Sequence, residues 1–170
     1  RPVGELRALR GACPIASLAT VDVPVAGSDA LAGIDGDALE ISVVIEPADA
    51  ERAGLAVRQG DGEETRIGYD RERGAVYVDR TTSGDVLFVT GFGARFEVPV
   101  ALRDGGVALT IFIDRSSVEV FADDGRAVLS ANIFPLPGSV KLAPFAEGGP
   151  ARLRQIEVHR LANASFTAGR

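Results

Sequence analysis

The stretch "IFIDRSSVEVFADDG", residues 111–125, places two short alternating runs of apolar and polar residues on either side of a turn. Side chains alternate across a β-strand, so pairing Asp114 with Ser117 gives a hairpin with one wholly aliphatic face. That face carries Ile111, Ile113, Val118 and Val120. Burying these side chains at about 1.5–3 kcal/mol each fixes the register, because a slip of one residue would turn the acids into the core.

The other face of this hairpin carries two acids, Asp114 and Glu119, which this register places diagonally at about 7–8 Å. Glycoside hydrolases use carboxyl pairs separated by about 5–5.5 Å or about 6.5–9.5 Å, so distance alone does not decide their role. Catalysis also needs an enclosed site that raises the pKa of one carboxyl. Because outward-facing hairpin residues lack such an enclosure, we favour a structural or binding role over a catalytic one.

The rest of the chain repeats this pattern of short, β-branched runs separated by Gly- and Asp-containing turns. Strands are predicted within residues 38–47, 53–62, 64–80, 107–134, 138–149 and 151–161. No window after residue 52 predicts a convincing amphipathic helix. The sequence therefore predicts an all-β protein, a two-sheet antiparallel β-sandwich.

Composition excludes several classes of function. The net charge of −6 and the absence of a basic patch argue against nucleic-acid binding. No run approaches the roughly 18 apolar residues of a membrane span. Cys13 is the only cysteine, which rules out an internal disulfide. Asp123-Asp124-Gly125 lacks the alternating oxygen ligands of a calcium loop, so we predict no metal and no cofactor. Since the chain begins at Arg1 and lacks Met, we expect a mature or excised piece.

Five segments resemble the C-terminal β-sandwich module of glycoside hydrolase family 32, which includes invertases, levanases and inulinases. They are "RPVGELRALR", "GLAVRQG", "ETRIGYDRERGAVYVDRTTSGD", "IFIDRSSVEVFADDG" and "SANIFPLPGSVKLAPFAEGG", in the family's order and spanning nearly the whole chain. The resemblance implies a lectin-like jelly roll. It also implies that residues 1–20 are a linker from a five-bladed propeller, residues 21–162 the sandwich, and residues 163–170 a disordered tail.

The resemblance also implies that the hydrolytic residues are absent from this chain. In the family they lie on the propeller, in Asn-Asp-Pro-Asn, Arg-Asp-Pro and Glu-Cys motifs, and none of these strings occurs here. We therefore expect no catalytic residues and no enzymatic activity from this chain alone. The expected partner is the propeller of the same polypeptide, docked on an apolar patch near residues 1–20 and on one sandwich face, with Phe88, Phe92 and Phe96 as contributors.

Some relatives of this sandwich bind fructan by taking its terminal fructose into a pocket. Sugar hydroxyls suit Asp, Glu and Arg, which three of the resembling segments supply. The candidate sugar-binding residues are Glu64, Arg66, Asp79, Arg80, Asp114 and Glu119. The chain has no Trp and two Tyr, which disfavours a flat stacking platform but leaves an end-on pocket open.

Each candidate residue also has a purely structural interpretation. Arg58, Arg66 and Arg80 could pair with neighbouring acids on a solvated face. Asp79 and Asp114 could form turns through hydrogen bonds to the backbone. His159 alternates with Val158 and is predicted to face solvent.

Three functions therefore stay open: a module that braces the propeller, a fructan-binding module, and an independent hydrolase using Asp114 and Glu119. We favour the first, in a secreted bacterial enzyme, with a homodimer possible.

Overall fold

The computed structural model describes residues 9–11 and 13–162. These residues form eleven strands: β1 Ala16–Val23, β2 Leu39–Glu46, β3 Arg52–Gly60, β4 Glu63–Asp70, β5 Ala75–Thr82, β6 Arg95–Pro99, β7 Val107–Asp114, β8 Ser117–Ala122, β9 Ala127–Asn132, β10 Lys141–Glu147 and β11 Ala151–Arg160. A 3₁₀ turn at Asp123–Gly125 joins β8 to β9. The predicted all-β class is confirmed.

The strands form two antiparallel sheets that pack face to face. One sheet has six strands in the order β1-β11-β2-β7-β8-β9, and the other has five in the order β10-β3-β4-β5-β6. The core lies between them and draws on alternate residues of each strand, such as Ile41 and Ile111 from the first sheet and Leu55 and Ile67 from the second. The predicted two-sheet antiparallel sandwich is therefore confirmed.

The β7–β8 hairpin has the register predicted from its alternation. Asp114 pairs with Ser117, and Phe112 pairs with Glu119. Ile111 and Val118 have no solvent exposure, whereas Asp114 and Glu119 are exposed. Aliphatic burial therefore turns both acids outward and places them diagonally across the hairpin.

Two strands were not predicted, β1 and β6. β1 begins at Ala16, so residues 16–20 of the predicted linker belong to the six-stranded sheet, where Ala16 and Leu18 pack against the core. Residues 1–8 and 12 of the predicted linker lie outside the described residues, and so does the predicted tail at residues 163–170.

Two glycines in the centre of the five-stranded sheet leave no room for a side chain. Gly54 and Gly68 pair across β3 and β4. A Cβ atom built on Gly54 would lie 2.1 Å from the carbonyl oxygen of Ile67 and 2.6 Å from the Cα of Gly68. Only a residue without a side chain fits there.

We expect Gly54→Ala to lower the free energy of unfolding by about 1–3 kcal/mol, because the added methyl group cannot be accommodated without moving the backbone. Urea unfolding measures this loss. Gly138→Ala is the matched control, since a Cβ at Gly138 meets nothing within 4 Å and its φ is not positive. Equal stability of the two variants would contradict the close approach.

Candidate functional site

The six predicted sugar-binding residues do not lie together. Glu64 and Arg66 lie on β4 and point to the outer side of the five-stranded sheet, where Asp79 pairs with Arg66 across β4 and β5. Asp114 and Glu119 lie on the outer face of the six-stranded sheet, on the other side of the core. Arg80 lies among aromatic rings at the end of β5. The structure therefore divides them among three surfaces, and their binding of sugar stays a prediction.

An ion-pair network covers the outer face of the five-stranded sheet. Glu147 accepts hydrogen bonds from Arg52 Nε at 2.6 Å and from Arg66 Nη1 at 2.5 Å. Arg66 also donates to Glu64, whose other carboxylate oxygen accepts from Gln59 at 3.0 Å. Arg66 therefore does pair with neighbouring acids, as its structural interpretation predicted.

Tyr77 lies at the centre of this face and is only 2% exposed. It pairs with Gly68, and the Arg95 guanidinium carbon lies 3.9 Å from the ring centroid. Burial raises the pKa of the Tyr77 hydroxyl, and the nearby Glu147 carboxylate adds to that rise. Tyr77 thus serves as the apolar floor of a charged surface, which its position between Val76 and Val78 did not reveal.

Arg95 also anchors the buried carboxylate of Asp70. Its Nη2 donates to Asp70 Oδ2 at 2.7 Å, and the backbone N–H of Arg73 donates to Asp70 Oδ1 at 3.0 Å. Burial alone would raise the pKa of Asp70, but these two donors outweigh it and the pKa lies below its ordinary value.

The acids of the β7–β8 hairpin line an open groove of about 480 Å³. Its walls include Phe112, Asp114, Ser117, Glu119, Leu9 and Leu161. Asp114 Oδ1 accepts a hydrogen bond from the N–H of Arg115 at 2.8 Å, so its predicted role as a turn former is confirmed. Asp79 behaves in the same way, accepting from the N–H and the hydroxyl of Thr81 at 2.9 and 2.7 Å.

An apolar surface lies beyond the ends of β5 and β9. The rings of Phe88, Phe92 and Phe134 are mutually in contact, with centroids 4.6–5.4 Å apart. We call this surface the Phe88 patch; it comprises Leu87, Phe88, Val89, Phe92, Phe134 and Leu136. Phe88 and Phe92 were predicted to contribute, whereas Phe134 and Leu136 were not. Phe134 and Leu136 follow β9 in the segment "NIFPLPG". The sequence signal for their exposure was the presence of large apolar residues in a Pro-rich loop.

The Phe88 patch lies at the same end of the sandwich as the first described residues. Arg10 bridges to Leu161 beside the start of β2, and Arg10 also pairs with the buried Glu40. The hairpin tip is at this end too, where Ser116 accepts a hydrogen bond from Ile133 N–H at 2.9 Å. Phe134 follows directly and donates to the carbonyl of Ser83 at 3.3 Å. We call this the Arg10 end.

Arg58 is buried at the Arg10 end, which corrects the prediction that it lies on a solvated face. It is 3% exposed, with its Nη2 3.4 Å from the carbonyl oxygen of Leu136. The register of β3 and β4 shifts after Val57, and Arg58 has a positive φ of 51°. Burial lowers the pKa of Arg58, and the nearby carboxylates of Asp37 and Glu63 oppose that change.

The prediction for His159 is also wrong, because the structure buries it to 8% exposure. It pairs with Glu40 across β11 and β2, and its Nε2 lies 3.5 Å from Glu157. Because Val158 pairs with the core residue Ile41, His159 faces away from the core as its alternation with Val158 predicted, but it is buried on that outer face rather than exposed to solvent.

Within residues 9–11 and 13–162, no group of three or more His, Cys, Asp or Glu side chains is placed to hold a metal ion. The same ranges contain no helix long and apolar enough to cross a membrane.

Comparison with known proteins identifies the family. The family described as "Glycosyl hydrolases family 32 C terminal" matches residues 5–160. The chain belongs to that family. The levanase of Bacillus subtilis (strain 168) is 36% identical over 163 residues, which cover 94% of this chain and 24% of the levanase. The extracellular exo-inulinase of Aspergillus ficuum is 39% identical over 100 residues, covering 58% of this chain and 19% of that protein.

Solved structures agree with this family 32 C-terminal assignment. The crystal structure of exo-inulinase from Aspergillus awamori superimposes with a TM-score of 0.81 at 28% identity, covering 95% of this chain and 32% of that one. Fructan 1-exohydrolase IIa from Cichorium intybus shares the fold, with a TM-score of 0.76 at 16% identity and coverage of 97% and 38%. The chain thus spans about a fifth to two fifths of the length of these proteins.

We expect Asp70→Asn to lower the free energy of unfolding at pH 7 by about 1–3 kcal/mol, because the ionised carboxylate loses its charge-assisted bond to Arg95. A carboxyl whose pKa is lowered by folding contributes stability above its unfolded pKa, near 3.9, and that contribution disappears as pH falls through the folded pKa. Urea unfolding at pH 7 and pH 3 measures the effect. The deficit of the variant shrinks at pH 3; an undiminished deficit would contradict the ion pair.

Proposed function

We propose that this chain is the C-terminal accessory module of a secreted fructan hydrolase, and that it braces the catalytic domain without hydrolytic machinery of its own. Support comes from relatives named levanase and extracellular exo-inulinase, which are much longer than the chain. The absence of the three acidic motifs of the propeller from the sequence supports the non-catalytic role.

The Phe88 patch is the observation that carries this proposal. Leu87 is 92% exposed, Phe88 53% and Leu136 58%. Large apolar side chains gathered in this way on a soluble domain mark an interaction surface, because leaving them in water is unfavourable. In a sandwich without a binding partner, a surface cluster of three phenylalanine rings would be unfavourable and would have no compensating contact.

The position of the patch indicates what covers it. We infer that a domain preceding the sandwich in the polypeptide attaches at the Arg10 end, where the patch is found. Four strand spacings, about 20 Å, separate β11 from β9 at this end. A domain of about 300 residues has a radius of gyration near 19 Å, so a catalytic domain attached beside β11 is wide enough to reach the patch.

We expect Leu87→Ser to lower the thermal unfolding midpoint of the module in the full-length enzyme, because docking buries this side chain. In the isolated chain the same change should leave the midpoint within about 1 °C, since a residue so exposed has few contacts to lose. Differential scanning calorimetry of both proteins measures the contrast. Val128→Ser, at an exposed residue on β9 outside the patch, is the control.

An unchanged midpoint in the full-length enzyme would remove the support for bracing. Sedimentation of the isolated chain tests the competing homodimer. A dimer that Leu87→Ser converts to a monomer would assign the patch to self-association and would count against bracing.

The hairpin groove favours a second function, binding of fructan. It brings together two of the predicted residues, Asp114 and Glu119, and both carboxylates are exposed to solvent. Phe112 stands beside them, with its ring in edge-to-face contact with Phe121 at 5.9 Å. Carboxylates accept hydrogen bonds from vicinal sugar hydroxyls, and an aromatic wall contacts the C–H groups of a furanose ring.

We expect any heat measured on titrating the chain with levan oligosaccharides to disappear in Glu119→Gln, because the amide removes the charge that strengthens its bonds to hydroxyls. Glu72→Gln, in the β4–β5 turn, is the matched control. No free fructose should accumulate in these samples. Absence of heat at millimolar oligosaccharide removes the binding function, and release of fructose by the chain alone contradicts the non-catalytic proposal.

A further inference from the structure

Arg80 is held in an aromatic setting at the edge of the Phe88 patch. Its guanidinium carbon lies 3.8 Å from the ring centroid of Phe92 and 4.8 Å from that of Phe96. Nη1 donates a hydrogen bond of 2.8 Å to the carbonyl oxygen of Asn132. Nε is buried and has no partner among the residues that the structure describes. The guanidinium is therefore fixed in position while part of its hydrogen-bonding capacity is unused.

No carboxylate of the described chain balances this charge. Arg66 and Arg95 each pair with two carboxylates on the five-stranded sheet, but Arg80 forms no ion pair within residues 9–11 and 13–162. The adjacent Asp79 is already engaged by Thr81. Burial lowers the pKa of Arg80, and no neighbouring negative charge offsets it. A fixed, partly desolvated cation without a counter-ion is costly once further water is removed.

We infer that, in the full-length enzyme, the catalytic domain places a carboxylate against Arg80 within the interface formed by the Phe88 patch. This inference rests on the proposed bracing function and names the chemistry that the opposing surface must supply. Docking on the patch removes the remaining water from Arg80, so an unpaired guanidinium would oppose docking. A carboxylate balances the charge of the guanidinium and can accept a hydrogen bond from Nη2, which has no hydrogen-bond partner among the described residues and, unlike Nε, is not buried.

The arrangement also makes docking directional. Apolar contact alone tolerates sliding of one surface over the other, whereas a charge held at one point of an apolar surface favours a single register. The two rings limit the side-chain motion of Arg80, so little conformational entropy is lost when the pair forms. Arg80 is thus suited to setting the orientation of the sandwich against the catalytic domain.

The test compares Arg80→Gln in two contexts, the isolated chain and the full-length enzyme, by thermal unfolding of the module. The variant loses its contacts with Phe92, Phe96 and Asn132 in both contexts. The ion pair with the interdomain carboxylate exists only in the full-length enzyme. There we expect the midpoint to decrease by at least about 3 °C more than in the isolated chain. Arg80→Lys, which keeps the charge, should recover part of that difference.

Arg126→Gln is the control, since Arg126 is exposed near the start of β9, at the opposite end of the sandwich, and forms no ion pair among the described residues. A crystal structure of the full-length enzyme should show a carboxylate oxygen within 4 Å of the Arg80 guanidinium. Replacing that acid by its amide should reproduce the Arg80→Gln deficit, and combining the two changes should add little further loss.

Equal losses for Arg80→Gln in both contexts would overturn the inference. If Leu87→Ser still destabilises the full-length enzyme in that case, docking on the patch stands and only the carboxylate is wrong. If Leu87→Ser has no effect either, the docking surface itself is wrong.

Discussion

Burial of alternate aliphatic side chains between the two sheets is the constraint on which the other features of this molecule depend. Once Ile41, Ile111 and Val118 are turned inward, their neighbours must stand on the outer face of the six-stranded sheet. The same rule on the other sheet turns Arg66 and Tyr77 outward on the far side of the core. Packed sheets lie about 10 Å apart, so polar groups on the two outer faces cannot share one small ligand.

Sequence alternation predicted the inner strands well because their pattern reports burial directly. β2 and β7 alternate fully buried aliphatic residues with more exposed ones, which leaves one register for each. The unpredicted strands β1 and β6 are edge strands with weak patterns. β6 ends at Pro99 and leaves Phe96 exposed, and β1 buries only Val21 and Val23. Their place in the sheet depends on pairing with a neighbour, which their own residues do not encode.

Polar contacts were predictable only where the partners are close in sequence. The turn bonds of Asp79 and Asp114 follow from local chemistry. The bond from Arg66 to Glu147 joins residues 81 positions apart and depends on the order of strands in the sheet. The burial of Arg58 accompanies a register shift in β3, where Arg58 has a positive φ. A fixed two-residue repeat cannot anticipate an inserted residue. His159 occupies the outer face that its alternation predicts, but it is buried there beside Glu40, a residue distant in sequence.

Charges that are paired within the module contribute to its own stability, whereas unpaired charge and exposed apolar surface are the features expected of a binding surface. On the five-stranded sheet, Arg52 and Arg66 both pair with Glu147. Around the Phe88 patch the opposite holds, since apolar rings face water and the Arg80 guanidinium has no counter-ion among the residues that the structure describes. Exposed apolar side chains and unpaired charges of this kind are typical of interfaces, because their free energy is unfavourable in the isolated domain and is lowered by contact with a complementary surface. This contrast supports the proposed docking of the catalytic domain at the Arg10 end.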